Sequence, residues 1–357
     1  YGGHIMRVTV VGAGNTGLAM AAHLALSGSE VVVYNRSPDV VSAINETNTI
    51  HCNGVFNDDA NIAFASQNMA EATKDTDLIM IMTPAFAHKD LAILLGQSLE
   101  KEVPIILNPG RTCGAVEFTH YFSQENKYLR PLVAETQTVI HTARRNSLNS
   151  VNLIAIKDSV DIATLDSTKI NDVMSVIPEA IRKHFSPAKS VVETSIGNTG
   201  MILHCTPLLL NSGWTESPKF CYKHYWEGIS PRIARFLEKI DSERLAVAKA
   251  LGSDLLSTKD WIKRSYHSEG DTLYDCIQNT VAYEIIDAPS TLDHRYIFED
   301  IPYGLVPLEV IGKQLGVEMS YTSLIIDLAC ALMETDLRKS GRNLNHLALQ
   351  SIKDGIC

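Results

Sequence analysis

The chain has 357 residues, 45% of them hydrophobic and 20% charged, and its net charge is −10. This length exceeds what one hydrophobic core usually organises, so we expect two domains. The acidic balance argues against nucleic-acid binding, which needs clustered lysine and arginine. No apolar run reaches the roughly 20 residues that cross a bilayer, so we expect no membrane partner.

The seven cysteines are scattered and form no C-x-x-C pair. This pattern predicts a reduced, cytoplasmic protein with neither a zinc site nor a disulfide framework. The segment before Met6 has neither the basic region nor the hydrophobic stretch of a secretory signal. Two interpretations of residues 1–5 stay open: they belong to the natural chain, or they are an addition before a natural start at Met6.

The first half of the chain alternates short apolar runs with helical patterns, which is typical of a parallel sheet covered by helices. A helix is predicted over Leu18–Ser27, between the first two strands, and a last one over Lys169–Lys183. The predicted strands are Arg7–Val11, Glu30–Tyr34, Asp77–Met82, Pro104–Leu107, Leu132–Ala134 and Val151–Ile156.

Beyond about residue 195 the β-rich runs almost vanish. Ser230 and Pro231 predict the cap and first turn of a long helix that ends at Gly252, and Thr322–Glu334 predicts a strongly apolar helix. We therefore predict an α/β fold: an N-terminal Rossmann-type, doubly wound parallel sheet in residues 6–190, and a C-terminal all-helical substrate and catalytic domain in residues 191–357.

A Gly-Ala-Gly-Asn-Thr-Gly motif at residues 12–17 follows the first predicted strand and opens the first helix. Gly12 permits the tight turn, Gly14 lets a pyrophosphate approach the backbone, and Gly17 lets the helix pack on the strand. The N–H groups at the helix start, around Asn15 and Thr16, then hold the phosphates. The motif predicts a nicotinamide dinucleotide site, against the alternative of a chance glycine-rich turn.

The end of the second strand indicates which dinucleotide binds. An NAD site usually carries a carboxylate there, bonded to the ribose 2′-hydroxyl, but this strand runs into Asn35-Arg36-Ser37. Arg36 is suited to a 2′-phosphate, with Asn35 and Ser37 assisting. We therefore expect NADP(H) to be favoured over NAD(H), the alternative being an exposed loop arginine that binds nothing.

Two further turns follow predicted strands at the edge where such sheets bind ligands. Thr83 and Pro84 end the strand predicted over residues 77–82, and Asn108-Pro109-Gly110-Arg111 ends the next. We expect both segments, Thr83 and Pro84 above all, to wall the ribose and nicotinamide, the alternative for each being simple turn chemistry.

Several motifs spread over nearly the whole chain resemble the opine dehydrogenase family, of the octopine and nopaline dehydrogenase type. The most specific is Arg-Tyr-x-x-Glu-Asp-x-Pro-x-Gly-Leu-Val-Pro at residues 295–307. The others are the glycine motif, residues 107–111, residues 134–138, Asn198 with His204, and Gly341-Arg342. The resemblance implies a Rossmann domain joined to a helical domain. It also implies an NAD(P)H-dependent enzyme that condenses an α-keto acid such as pyruvate with the amino group of an amino acid, reduces the imine, and catalyses the reverse oxidation.

By the same resemblance, His204 and Asp300 form a catalytic dyad and Arg295 binds the substrate carboxylate. Histidine exchanges protons near neutral pH, a carboxylate on its second ring nitrogen sets the tautomer, and the arginine fork matches a carboxylate. The alternatives are a core histidine at position 204 and a structural ion pair between Arg295 and Asp300. Their spacing of five residues is not the favoured helical one.

The chain departs from the family pattern at two places. His204 is followed by Cys205-Thr206-Pro207, where members often have proline directly, and residues 316–321 replace a Thr-Pro helix start. If the second segment lines the amino-donor pocket, we expect an unusual choice of donor.

Two other functions are alternatives to the prediction of an opine dehydrogenase. One is a keto-acid reductase of the ketopantoate reductase or glycerol-3-phosphate dehydrogenase type, whose central lysine has no counterpart in residues 194–213. The other is a non-catalytic NADPH-binding sensor, against which the joint presence of His204, Arg295 and Asp300 argues. The expected partners are small-molecule substrates, an α-keto acid and an amino acid, with a homodimer as the candidate assembly.

Overall fold

The computed structural model describes residues 3–356. Tyr1 and Gly2, which belong to the segment before Met6, and Cys357 lie outside the described residues. The backbone forms two compact units, one of residues 3–195 with Asp354–Ile356 and the other of Ile196–Lys353. The division thus falls after Ser195, five residues beyond the boundary predicted from the sequence.

Within residues 3–356, all the strands belong to the first unit. In chain order they are β1 (Arg7–Val11), β2 (Glu30–Tyr34), β3 (Thr49–Gly54), β4 (Asp58–Asn61), β5 (Phe64–Ser66), β6 (Leu78–Ile81), β7 (Ile105–Leu107), β8 (Val133–Thr136), β9 (His141–Ser147), β10 (Ser150–Ile156), β11 (Val160–Thr164) and β12 (Phe185–Pro187).

Helices occur in both units. Those of the first are α1 (Asn15–Leu26), α2 (Pro38–Thr47), α3 (Met69–Ala72), α4 (His88–Ser98), α5 (Gly114–Glu125), α6 (Ile170–Val176), α7 (Glu179–Arg182) and α8 (Val191–Ser195). Those of the second are α9 (Gly200–Leu203), α10 (Cys205–Leu210), α11 (Ser212–Thr215), α12 (Pro231–Ala250), α13 (Thr258–Tyr266), α14 (Leu273–Gln278), α15 (Arg295–Phe298), α16 (Val306–Gln314), α17 (Ser320–Met333) and α18 (Leu337–Ser340). The last helix is α19 (Leu349–Ile356).

The larger sheet has the strand order β12-β11-β8-β7-β6-β1-β2-β5. From β8 to β5 neighbouring strands are parallel, whereas β11 runs antiparallel to β8, so the sheet is mixed at one edge. Its central strands are continuous apolar runs because both faces are covered. Val8 and Val10 of β1 pack on the side of α1, and Val11 packs on the side of α4 and α5.

A second sheet, which the sequence analysis does not anticipate, has the order β4-β3-β10-β9 and packs against α1. The predicted strand Val151–Ile156 lies here, in β10, so its assignment to the dinucleotide sheet is wrong. Val151 and Leu153 are buried while Asn152 between them is only half-buried, as expected for a strand with one covered face.

The helix predicted over Lys169–Lys183 is also wrong, because the structure breaks it into α6 and α7. Pro178 separates them: a proline ring disfavours helical geometry in the residue before it, and Ile177 is extended with φ −77° and ψ 126°.

The second unit is built from helices around α12. The Ser230 side chain accepts a hydrogen bond from Ile233 N at 3.2 Å, which caps α12 as predicted. The chain turns out of the helix at Gly252, where φ is +86°. Within residues 3–356, the structure contains no helix with the length and apolar character needed to cross a membrane.

Candidate active site

The glycine loop joins β1 to α1 in the first unit. Gly12 has φ +106°, and a Cβ there would lie 2.8 Å from the carbonyl oxygen of Met82. A Cβ on Gly17 would lie 2.1 Å from the carbonyl oxygen of Gly12, so helix and loop approach this closely only because both residues are glycine. Gly14 is exposed, with no described atom within 4 Å of where its Cβ would be, which leaves room for a ligand.

The surroundings of the loop fit the diphosphate of a dinucleotide. Gly14 is the N-cap of α1 and provides no side-chain cap, and no acidic residue lies in the first turn. The N–H groups that start with Asn15 and Thr16 can therefore bind an anion, which the helix dipole favours. Beside the loop, Thr83 Oγ1 is buried and has no hydrogen-bond partner among the described residues, so it is suited to a ligand hydroxyl. Pro84, next to it, is exposed.

Asn35, Arg36 and Ser37 lie after β2, as predicted. Asn35 Oδ1 accepts from Ser37 N at 2.9 Å, and the Arg36 carbonyl oxygen accepts from Gln67 Nε2 at 2.8 Å. The backbone of the turn is thus held in place. The Arg36 side chain is exposed and makes no hydrogen bond or ion pair within the described chain. Ser37 also caps α2 without a side-chain hydrogen bond, so a guanidinium and a hydroxyl are both available to a 2′-phosphate.

In the second unit, the structure brings His204 and Asp300 together across 96 residues of sequence. His204 Nδ1 lies 3.0 Å from Asp300 Oδ2; the Asp300 side chain is 3% exposed and that of His204 22%. When the buried carboxylate accepts from Nδ1–H, the second ring nitrogen, Nε2, is left for another partner. No described residue is hydrogen-bonded to Nε2, so this nitrogen is available to a substrate.

His204 lies where the chain passes from α9 to α10. The break arises because Pro207 has no N–H to donate to the carbonyl oxygen of Leu203 four residues earlier. His224 supplies the missing donor: its Nε2–H donates to the carbonyl oxygen of Leu203 at 2.9 Å. Burial lowers the pKa of His224 to about 4, so the ring is neutral near pH 7 and its Nε2–H is a stable donor.

Tyr296 stacks on the ring of His204, with centroids 4.3 Å apart and an angle of 11° between the planes. It also contacts the rings of His224 and His294, at 5.1 and 4.7 Å. His294 caps α15, since its Nδ1 accepts from Tyr296 N at 3.1 Å. Neither His224 nor Tyr296 is among the predicted site residues. The orphaned carbonyl before Pro207 and the position of Tyr296 inside the 295–307 motif are the signals that point to them.

Arg295 begins α15 and does not bury its charge. Its side chain is 65% exposed, and Nε lies 3.8 Å from Glu299 Oε2, one helical turn away. The carboxylate of Asp300 lies against His204 instead. The structure therefore gives Arg295 the accessibility that an anion-binding residue needs, with Glu299 as its neighbour on the helix.

Space beside the His204 ring depends on Gly200. A Cβ at this position would lie 3.3 Å from both His204 Cε1 and Asn198 Oδ1. Asn198 is 3% exposed, and its Nδ2 has no hydrogen-bond partner among the described residues. A buried amide donor next to His204 is available to a polar ligand.

Comparisons with known proteins agree with this division into two units. The sequence profile of the NAD/NADP octopine/nopaline dehydrogenase alpha-helical domain matches residues 187–333. That of the NAD-dependent glycerol-3-phosphate dehydrogenase N-terminus matches residues 7–110. The chain is 34% identical, over 348 residues, to an opine dehydrogenase of Arthrobacter sp. (strain 1C). The alignment covers 96% of this chain and 95% of the relative.

Solved structures share the fold at low sequence identity. An octopine dehydrogenase in complex with NADH and agmatine superposes with a TM-score of 0.83 at 18% identity, covering 98% of both chains. A yersinopine dehydrogenase with NADP+ bound gives 0.77 at 12% identity, again over 98% of both chains. The Rossmann domain and the helical domain of this chain thus both have counterparts in solved structures.

Proposed function

Because this chain belongs to the opine dehydrogenase family, we propose that His204 and Asp300 are its acid–base pair and that Arg295 binds the substrate carboxylate. The chain is an NAD(P)-dependent oxidoreductase acting on CH–NH bonds. Its reaction joins an α-keto acid reductively to the amino group of an amino acid, and runs in reverse as an oxidation. The observation that carries the residue assignment is the 3.0 Å contact between His204 Nδ1 and Asp300 Oδ2.

The pair acts on the oxygen of the keto acid. When the amine has added to the keto carbon, that oxygen becomes a hydroxyl group, which leaves as water only after it gains a proton. His204 Nε2–H donates this proton, and Asp300 stabilises the ring while it carries the positive charge. Reduced nicotinamide, when bound, supplies the hydride that converts the resulting imine carbon into the secondary amine. In the oxidative direction, His204 takes the proton back.

Arg295 binds the carboxylate of the keto acid in this proposal. Its exposed guanidinium presents N–H donors in a planar fork that matches two carboxylate oxygens. Replacing Arg295 with Lys keeps the charge but loses the fork, so we expect a KM for pyruvate raised about tenfold and a smaller change in kcat. Arg232→Ala, an exposed arginine at the start of α12, is the matched control. An unchanged KM in the Arg295→Lys enzyme would remove Arg295 from the site.

The dinucleotide is held by the first unit. Gly12, Gly14 and Gly17 shape the loop, and the N–H groups around Asn15 and Thr16 bind the diphosphate. Thr83 and Pro84 form the wall beside the nicotinamide ribose. Asn35, Arg36 and Ser37 bind the 2′-phosphate, which makes NADP(H) the preferred cofactor. The free guanidinium of Arg36 and the absence of a carboxylate at positions 35–37 support this preference.

The activity is tested by following NADPH oxidation with pyruvate alone and then with pyruvate plus a panel of amino acids, with products identified by mass spectrometry. The proposal expects oxidation only when both substrates are present, giving a secondary-amine dicarboxylate. Oxidation with a keto acid alone would support a reductase of the ketopantoate or glycerol-3-phosphate dehydrogenase type instead. Tight NADPH binding without turnover would support a sensor.

The remaining proposals concern surroundings and assembly. The scattered cysteines, which form no C-x-x-C pair, support a reducing compartment, which we take to be the cytoplasm. A homodimer is the candidate assembly. Light scattering of the purified protein tests it, and a monomeric mass at micromolar concentration would contradict it.

A further inference from the structure

An arginine that no part of the proposed site includes lies beside the glycine loop. Arg145 belongs to β9, in the sheet that packs against α1. Its backbone N–H donates to Asn15 Oδ1 at 2.8 Å, and its Nη1 donates to the carbonyl oxygen of Ala13 at 3.3 Å. Main chain and side chain of Arg145 are thus both tied to residues of the loop.

The strand is shaped to bring Arg145 to this position. Between β9 and β10, Ser147 pairs with Ser150 while Arg145 pairs with Val151, so Asn146 is an extra residue in the ladder. Such a bulge redirects the side chains beside it. Arg144, the preceding residue, instead donates to the carbonyl oxygen of Ala143 in its own strand.

Arg145 still has donors and charge to offer. Its side chain is exposed and forms no ion pair with a described acidic residue, and Ala13 O occupies only one of its N–H groups. The neighbouring helix start binds anions through N–H groups and a partial positive charge, and α1 itself brings no cation there. A dinucleotide diphosphate carries two negative charges, for which a guanidinium is a suitable partner.

We infer that Arg145 binds the diphosphate of the dinucleotide and contributes to the affinity for NADH and NADPH alike. The inference rests on the dinucleotide site proposed above. It gives the second sheet a role in cofactor binding, because this sheet places a cation beside a loop that has no cationic side chain of its own. Arg145 then differs in function from Arg36, which is proposed to bind the 2′-phosphate.

The test measures direct binding of NADH and NADPH by nicotinamide fluorescence, and of ADP by calorimetry, to the wild type and to Arg145→Gln, Arg145→Lys, Arg144→Gln and Arg36→Ala. Glutamine keeps a donor for the carbonyl oxygen of Ala13 but removes the positive charge. Arg145→Gln therefore distinguishes a residue that only supports the loop from one that binds an anion. Thermal unfolding without ligand checks that each variant is folded.

We expect Arg145→Gln to weaken the binding of NADH, NADPH and ADP by a similar factor of about ten. The variant should also reduce the dependence of NADPH affinity on salt concentration. Arg145→Lys recovers part of the affinity, and Arg144→Gln binds like the wild type. Equal affinities of Arg145→Gln and the wild type would overturn the inference, and so would a loss confined to NADPH. A wild-type chain that bound neither nucleotide would overturn the dinucleotide site itself and this inference with it.

Discussion

The imidazole of His224 gives Leu203 the hydrogen bond that the helix cannot supply. His224 Nε2 lies 2.9 Å from the carbonyl oxygen of Leu203, whose usual donor four residues later is the nitrogen of Pro207. Since Leu203 immediately precedes His204, this one contact stabilises the backbone from which the proposed acid–base residue projects. His224 acts through another residue, so its role is positional.

Replacing His224 with Phe leaves the Leu203 carbonyl without a donor in a buried site. We expect a loss of about 1–3 kcal/mol in the free energy of unfolding, measured with urea, and a fall in kcat with little change in the affinity for NADPH. Pro207→Ala restores a backbone N–H to Leu203. A double-mutant cycle should therefore show that His224→Phe costs less in the Pro207→Ala background, and simple additivity would contradict the argument.

Asp300→Asn tests the acid–base pair with little change in side-chain volume. Asparagine keeps an oxygen near His204 Nδ1 but no longer stabilises a positive imidazole, so we expect kcat to fall by about 10²–10⁴. His204→Ala should lower kcat by a similar factor. The double variant should lower kcat by little more than either single variant, because the two residues act as a unit. The dissociation constant of NADPH, measured by fluorescence, should stay within about twofold. A kcat near the wild-type value in either single variant would make the pair structural.

Arg36→Ala tests the choice between NADPH and NADH. Loss of charge-assisted hydrogen bonds to a 2′-phosphate costs about 1.5–3 kcal/mol, which corresponds to about 10–100-fold weaker NADPH binding. NADH has no such phosphate, so its affinity should change by less than about threefold. The two dissociation constants are measured side by side by fluorescence titration. Equal losses for both nucleotides would disprove the assignment to the 2′-phosphate.

Local sequence signals account for much of the first unit. The glycine motif, the strand ends at Val11 and Tyr34, and the capping Ser230 depend on neighbours within a few residues, and the structure has them as predicted. The second sheet was missed because β4 reads Asp-Asp-Ala-Asn, which has no apolar pattern. Its order comes from pairing with β3, a tertiary effect that propensity does not report.

The same distinction applies to the site. His204 and Asp300 were paired through the family motif, since nothing in their local sequence indicates a contact across 96 residues. Tyr296, His224 and Arg145 are not among the predicted site residues, because each makes its contact with a distant segment of the chain. Two of them have a clue in the sequence: Pro207 leaves the carbonyl group of Leu203 without its usual donor, which points to His224, and Tyr296 lies inside the 295–307 motif.

A buried histidine pair makes the stability of the first unit depend on pH. His23 Nδ1 lies 3.0 Å from His141 Nε2, where α1 meets the start of β9, and the ring of His184 is 6.0 Å from that of His23. Burial is the main cause that lowers the pKa of His23 to about 4 and that of His141 to about 3, from 6.5; the nearby charges of Lys183 and Lys157 lower them further.

Both rings stay neutral in the folded chain at pH values where the unfolded chain already binds protons. Above pH 6.5 neither state is protonated and the pair imposes no penalty. As the pH falls below 6.5 the unfolded state takes up protons that the folded state cannot, so stability falls until the folded pKa values are reached. We expect the free energy of unfolding to be lower at pH 5 than at pH 7 by on the order of 2 kcal/mol for each ring, or about 4 kcal/mol for the pair.

Urea unfolding of the wild type, His141→Phe and His23→Gln at pH 5, 6 and 7 measures the effect. Each variant removes one depressed pKa, so its stability should decline less steeply below pH 6.5. His267→Asn replaces an exposed histidine that has no such burial, and should keep the wild-type slope. If both buried-site variants also kept that slope, the acid sensitivity would have to come from other groups.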